Sequence, residues 1–324
     1  MQKRNILASI STKGRYDTTL SLAIASVVNQ TMMPDKLIIF DDNENPRDVR
    51  EQQHYLYLFQ ILSEKGVEWE WMYAEKKGQH YNHDKANHMG YKWVWRLDDD
   101  TVAESNVLET LYTFANTVPN VGAVAGSILT PPVPPVIVAT GKIENIEEPN
   151  MQWGRISEVT EVDHLHCSFL YRAGVAEYCL GLSKVAHREE TLFTYELKTK
   201  GYKNFVLPNA VVWHLKNKEG GIRDGAYEMY AHDEQIFRNK LSLGDCTPVV
   251  LDCGMGDHIV FKHVLPEIKN PMVFSCYPEI LPGRSIAEAQ QMLGSLDQYN
   301  IYAKMDQWNW TGSLEDAFRK LYVR

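Results

Sequence analysis

The chain has 324 residues, 44% hydrophobic and 23% charged, the balance of an ordinary globular protein with room for one large domain or two. Its formal charge of −9 argues against wholesale nucleic-acid binding, which needs many lysine and arginine contacts to phosphate. Five cysteines without a Cys-x-x-Cys pair, and an N-terminal apolar run too short for a signal peptide, give the expectation of a cytoplasmic protein with reduced thiols.

Strand and helix signals alternate from the start, the pattern of an α/β fold with a mostly parallel sheet. A buried strand is predicted over 5–11, an amphipathic helix over 17–31 ahead of Pro34, and a strand over 35–42 that ends in Asp41 and Asp42. A helix follows over 47–66, an alternating strand over 67–74, a short helix over 83–91 and a strand over 92–97. Further on come a helix over 104–118 and an apolar strand over 121–130. The apolar stretch 121–139 carries four prolines, so it is no membrane span. The Pro-rich and then acidic segment 131–163 reads as a long active-site loop. A strand is predicted over 164–172, a helix or turn over 174–183, a helix over 189–201, then strand, turn and strand over 203–215. The stretch "KNKEGGIRDG" (216–225) has the composition of a flexible loop. After residue 244 the pattern restarts with strands over 247–253, 272–278 and 299–306, each followed by a helix. That gives two domains, 1–243 and a small Rossmann-like 244–324.

The run "KWVWRLDDDTV" (92–102) ends an apolar strand in three aspartates. Mg²⁺ and Mn²⁺ prefer hard oxygen ligands shared between carboxylates and a substrate diphosphate. Side chains alternate along an extended segment, so Asp98 and Asp100 would face one side. A solvated helix cap explains the run equally well when it is taken alone. Three strands, however, end in Ser11-Thr12, Asp41-Asp42 and Asp98-Asp99-Asp100, and open α/β sheets bind ligands at such ends.

Several ordered motifs resemble glycosyltransferase family 2, the nucleotide-diphospho-sugar transferases of the GT-A fold. They are "SISTKGRYDTTLSLAIASVVNQT", "LIIFDDNENP", "KANHMGYKWVWRLDDD", "VGAVAGSIL" and "EETLFTYELKTKGYKNFVLPNAVVWHL", and together they cover roughly residues 5–217. The resemblance implies a donor pocket from Ser11, Thr12, Arg15, Asp41, Asp42, Lys85, Asp98 and Asp99. Within it, Asp41 would accept from the base, Lys85 would touch base or phosphates, and Asp98 would bind ribose or metal. It implies a divalent cation, Mn²⁺ or Mg²⁺, held by Asp98, Asp100 and His214. The family's acidic pair falls on Glu189 and Glu190, with Glu190 the preferred general base and Glu189 its competitor. Lys216, Lys218 and Arg223 would fold over the diphosphate as a lid.

The activity implied is transfer of a sugar from a nucleotide-diphosphate donor, UDP-sugar by default, to an acceptor hydroxyl with inversion. The acceptor is a glycan, a metabolite or a modified nucleobase. A nucleotidyltransferase and a non-catalytic nucleotide-sugar-binding module are the competing readings. "HLHCSF" (164–169) lacks a fourth zinc ligand at the usual spacing and reads as a strand bordering the acceptor pocket. The "GMGD" turn (254–257) resembles the opening of a heptosyltransferase-type GT-B domain of which only half is present. A role in packing, acceptor binding or homo-oligomer formation is expected of it.

Overall fold

The computed structural model describes residues 4–131, 155–221, 227–243, 247–251, 271–275 and 300–303. Alternation of side chains along the first strands sets the layering. Ile6, Ala8 and Ile10 of β1 (Ile6–Thr12) join one buried cluster, while Leu7 joins another. The same split divides Leu37 and Ile39 from Ile38 and Phe40 in β2 (Lys36–Asp41), and Trp93, Trp95 and Leu97 from Val94 in β4 (Trp93–Asp98). The first cluster is completed by α1 (Leu20–Val28), α2 (Gln53–Glu64) and α4 (Val107–Thr117). The second is completed by α3 (Gln79–Asn87) and α5 (Glu189–Thr199), together with residues from 156 to 178. The sheet is therefore sandwiched between helices, which explains why its parallel strands read as nearly continuous apolar runs.

The nine-stranded sheet has the order β3 (Glu68–Tyr73), β2, β1, β4, β8 (Phe169–Arg172), β6 (Val121–Leu129), β9 (Lys203–His214), β5 (Thr101–Ala103), with β7 (Thr160–Val162) also paired to β9. Strands β3, β2, β1 and β4 run parallel, β8 is antiparallel between β4 and β6, and β6 runs parallel to β9. Register sets Ser11 beside both Phe40 and Asp98, so the carboxyl ends of β1, β2 and β4 meet at one edge. His214, the last residue of β9, reaches that same edge.

Local chemistry accounts for where elements differ from the sequence pattern. The helix expected over 47–66 starts only at Gln53, because Asp48 accepts from the Arg50 N–H at 3.0 Å and holds a turn. The helix expected over 83–91 is shifted to 79–87, entering from Gly78 at φ 105°. The strand expected over 164–172 survives only as β8, since Cys167 adopts φ 59° and the chain turns there. Residues 174–183 are turns. The strand–turn–strand over 203–215 is one strand with residues 208–210 bulged out of register against β6. The bulge presses on Gly126, where a Cβ would lie 1.9 Å from the Ala210 carbonyl oxygen. Strands β5 and β7 and helix α6 (Tyr227–Leu243) have no counterpart in the sequence pattern.

The chain divides into two compact units, Met1–Glu234 and Gln235–Arg324. In the second, β10 (Thr247–Leu251), β11 (Pro271–Ser275) and β12 (Asn300–Ala303) form a parallel three-stranded sheet in chain order. The three helices expected there, "GMGD" and most of the 131–163 loop lie outside the described residues. Among the described residues, no helix is long and apolar enough to cross a membrane.

Candidate active site

A cleft of about 410 Å³ opens at the carboxyl edge of the large sheet. Its walls are Ser11 near the end of β1 with Lys13 and Arg15 beyond it, Gln79 on α3, Asp98 at the end of β4 with Asp99 and Asp100, His166 and Cys167 before β8, Glu190 on α5, His214 at the end of β9, and Lys216, Asn217, Lys218, Gly220 and Gly221 beyond it. None of the aspartates caps a helix, because α4 starts at Val107 behind Asn106. They form instead the turn between β4 and β5, and β5 exists because its backbone pairs with the end of β9. That pairing puts Thr101 opposite His214 and lets the Leu215 N–H donate to the Asp100 carbonyl at 2.9 Å.

The three aspartates divide their partners at this turn, with Arg15 shared between Asp99 and Asp100. Asp98 shares the face of Arg96, whose Nη2 lies 3.0 Å from it. Asp99 accepts from the Thr12 hydroxyl at 2.8 Å, the Lys13 N–H at 3.2 Å and Arg15 Nη1 at 2.9 Å. Asp100 pairs with Arg15 at 2.6 Å and with His214 Nε2 at 3.4 Å. Burial pushes the Asp99 carboxyl up to about 7 even with Arg15 beside it. Burial would do the same to Asp100, but His214 and Arg15 outweigh it and hold that carboxyl below its ordinary range.

Beneath the cleft, Arg96 is fully buried and serves three carboxylates. Its Nη1 lies 2.7 Å from Glu189, and its Nη2 lies 3.4 Å from Glu190 and 3.0 Å from Asp98. The two glutamates open α5, yet their surroundings differ. Glu189 has no exposure, accepts a further hydrogen bond from Gln79 Nε2 at 2.9 Å, and is pushed by burial up to about 8 against the pull of Arg96. Glu190 keeps 5% exposure, lines the cleft, and accepts from the Cys167 N–H at 3.1 Å.

Of the residues singled out in the sequence, the cleft gathers Ser11, Arg15, Asp98, Asp99, Asp100, Glu190, His214, Lys216 and Lys218. Thr12, Asp41, Asp42, Lys85 and Glu189 do not line it. Thr12 is buried behind Asp99. Asp41 is saturated by Tyr16 Oη, Trp71 Nε1 at 3.2 Å and Asn43 Nδ2 at 2.7 Å, all from this chain. Asp42 accepts from the Gly78 N–H at 3.2 Å. Lys85 is exposed on a separate cleft with Asp84 and Met89. Arg223 lies outside the described residues. Sequence reasoning passed over Lys13, Gln79 and Arg96 as site residues, and took His166 and Cys167 only as part of a strand bordering the acceptor pocket. Of the first three, Arg96 carried a signal, as a cation inside an apolar strand run.

The loop after β9 closes against the loop after β1. The Gly221 N–H donates to the Lys13 carbonyl at 2.7 Å, and Arg15 Nη2 to the Asn217 carbonyl at 3.2 Å. Gly220, at φ 71°, permits this approach, because a Cβ there would sit 2.3 Å from the Gly14 oxygen.

The donor set fits a cation. Asp98, Asp99, Asp100 and Glu190 line the cleft and offer carboxylate oxygens beside the His214 imidazole. Asp98, Cys167 and His214 each offer a ligand atom within 4.8 Å of the others.

No protein-family model matches the chain, and no curated protein sequence does. Solved structures do match. A structure of GalNAc-T7 with UDP, GalNAc and Mn²⁺ is 12% identical with a TM-score of 0.55, over 92% of this chain and 59% of that one. This chain thus spans less than two thirds of that protein's length. A structure of S. aureus TarS 1–349 in complex with UDP-GlcNAc is 13% identical with a TM-score of 0.50, over 81% of this chain and 80% of that one. The architecture is that of the GT-A fold, with its large and mostly parallel sheet.

Proposed function

We propose that this chain is a metal-dependent glycosyltransferase that moves a sugar from a nucleotide-diphosphate donor, UDP-sugar first among them, to an acceptor hydroxyl. The observation that carries the reading is the convergence of Asp98, His214 and Glu190 on one cleft at the carboxyl edge of a GT-A sheet. The bound UDP of GalNAc-T7 and UDP-GlcNAc of TarS support a uridine donor.

In this reading Glu190 is the general base. It takes the proton of the acceptor hydroxyl as the hydroxyl oxygen bonds to the anomeric carbon and the bond to the diphosphate breaks, which inverts that carbon. Glu189 is fully buried, has no access to substrate and instead holds Arg96 in place through their 2.7 Å contact. Asp98 and His214 would hold a divalent cation, Mn²⁺ or Mg²⁺, and Asp100 would orient His214 through their contact rather than bind the cation itself. Such an ion stabilises the negative charge of the departing diphosphate. Lys13, Lys216 and Lys218 line the cleft and would face the same charge.

UDP release from a panel of UDP-sugars, with water or added glycans as acceptor, tests the reading. Mn²⁺-dependent release that disappears in Asp98→Ala is the expected result. UDP binding without release from any donor would leave a non-catalytic binding module. Pyrophosphate release from a nucleoside triphosphate would replace the transferase with a nucleotidyltransferase.

A further inference from the structure

"HLHCSF" has no fourth zinc ligand nearby in sequence, but the fold supplies partners from other strands. The ligand atoms of Asp98 at the end of β4, Cys167 before β8 and His214 at the end of β9 fall within 4.8 Å of one another, and all three residues line the cleft. Cys167 also occupies a costly backbone position. At φ 59° it lies in the left-handed region, which costs an L side chain roughly 1–2 kcal/mol and a glycine almost nothing. The conformation is held by the Cys167 N–H donating to Glu190 at 3.1 Å and by the Ser168 N–H donating to the His166 carbonyl at 2.8 Å. A thiol kept in a strained turn beside a carboxylate and an imidazole points to coordination.

We propose that Cys167 is a cation ligand and that the cleft is a carboxylate–thiolate–imidazole site selecting thiophilic divalent ions over Mg²⁺. This rests on the reading above that the cleft holds a cation, and it names the class of that cation. Thiolate and imidazole favour Zn²⁺ and Co²⁺, then Mn²⁺, whereas Mg²⁺ demands oxygen ligands in near-ideal octahedral geometry. Three protein ligands leave a position for a diphosphate oxygen of the donor. The thiol proton passes to solvent as the Sγ–metal bond forms.

Titrating the full chain with Co²⁺ and recording its absorption spectrum tests this. The expected result is one equivalent bound, with a near-ultraviolet sulfur-to-cobalt charge-transfer band beside the visible bands. Zn²⁺ should displace the Co²⁺, and Mg²⁺ in large excess should not. Cys167→Gly should abolish the charge-transfer band and weaken Co²⁺ binding by about 100-fold or more, the upper end of losses seen for groups one shell further out. Cys167→Ser, which keeps most of the side-chain volume in the buried cluster, should lose the charge-transfer band as well while unfolding without metal near the wild-type temperature, so misfolding would not mimic the result. Four outcomes would overturn the proposal: no Co²⁺ binding, binding without the charge-transfer band, a band that survives Cys167→Gly, or displacement by Mg²⁺. If Cys167→Gly lacks any metal defect while UDP-sugar turnover stands, the ligand assignment fails and the transferase reading survives. If wild type gives the band and no UDP-sugar turns over, the reverse holds.

Discussion

Replacing Glu190 by Gln removes a proton acceptor while keeping the acceptor oxygen that the Cys167 N–H uses. Turnover of the donor should fall by about 10²–10⁴ with UDP affinity unchanged; equal turnover in a rate assay would remove Glu190 as base. Arg96 is the guanidinium that Asp98, Glu189 and Glu190 share at full burial, so Arg96→Met strands carboxylates in a dry site. A loss of about 3–5 kcal/mol is expected in urea unfolding, and a neutral result would mean that these carboxylates are not ionised together. His80 is fully buried, and burial lowers its imidazole from the ordinary 6.5 to about 4. Between those values the unfolded chain binds a proton that the folded chain does not. This contribution to stability is therefore intact above pH 6.5 and is lost as pH falls toward 4. His80→Gln lacks the titration, so its stability gap to wild type should narrow by up to about 1.4 kcal/mol per pH unit across that window. A gap that stays constant with pH would show that the imidazole is solvated.

At the scale of elements, the end of α1 holds the aspartate-bearing region in place. Gln30 donates to the Ser26 carbonyl at 3.0 Å and to the Glu104 carbonyl at 2.9 Å, and its own oxygen accepts from the Leu108 N–H at 2.9 Å. Gln30→Ala should cost about 2 kcal/mol in denaturant unfolding, because buried backbone groups lose their partners; a cost below the measurement error would mean that water takes over those bonds. The end of the first quoted motif, "SVVNQT" (26–31), was thus legible, and its work is to clamp α1 to the connection between β5 and α4. The parallel strands were legible because burial on both faces leaves apolar runs. Helix α6 was not, since its hold is long-range. Asp233 accepts from the Ser183 N–H at 2.6 Å and the His187 N–H at 2.9 Å, while Glu234 meets His187 and Arg188 just ahead of α5. Strand β5 was equally hidden, because three residues carry no period and exist as a strand only through their pairing with β9.

Across the whole molecule, what the sequence discloses about the site follows a simple physical division. Groups that sit in a local run, such as the three aspartates, His214 in "VVWHL" and the acidic start of α5, were readable. Groups whose importance comes from what folds against them were not: Arg96 beneath the glutamates, Gln79 on Glu189, and Cys167 beside Asp98 and His214. Asp41 shows the converse, a motif residue whose carboxylate the fold fills with Tyr16, Trp71 and Asn43. The chain carries a formal charge of −9 and sets four acids, Asp98, Asp99, Asp100 and Glu190, in one cleft, where a bound cation would screen them from an anionic donor beside Lys13, Lys216 and Lys218. The most direct measurement is thermal unfolding with UDP, GDP, CDP and dTDP, each with and without Mn²⁺, in wild type and Asp98→Ala. At a hundred times its dissociation constant, a ligand adds about 2.7 kcal/mol, or roughly 5–10 °C. A shift with UDP that requires Mn²⁺ and vanishes in Asp98→Ala is the predicted result. Identical melting in all conditions would contradict a metal-dependent nucleotide-sugar site.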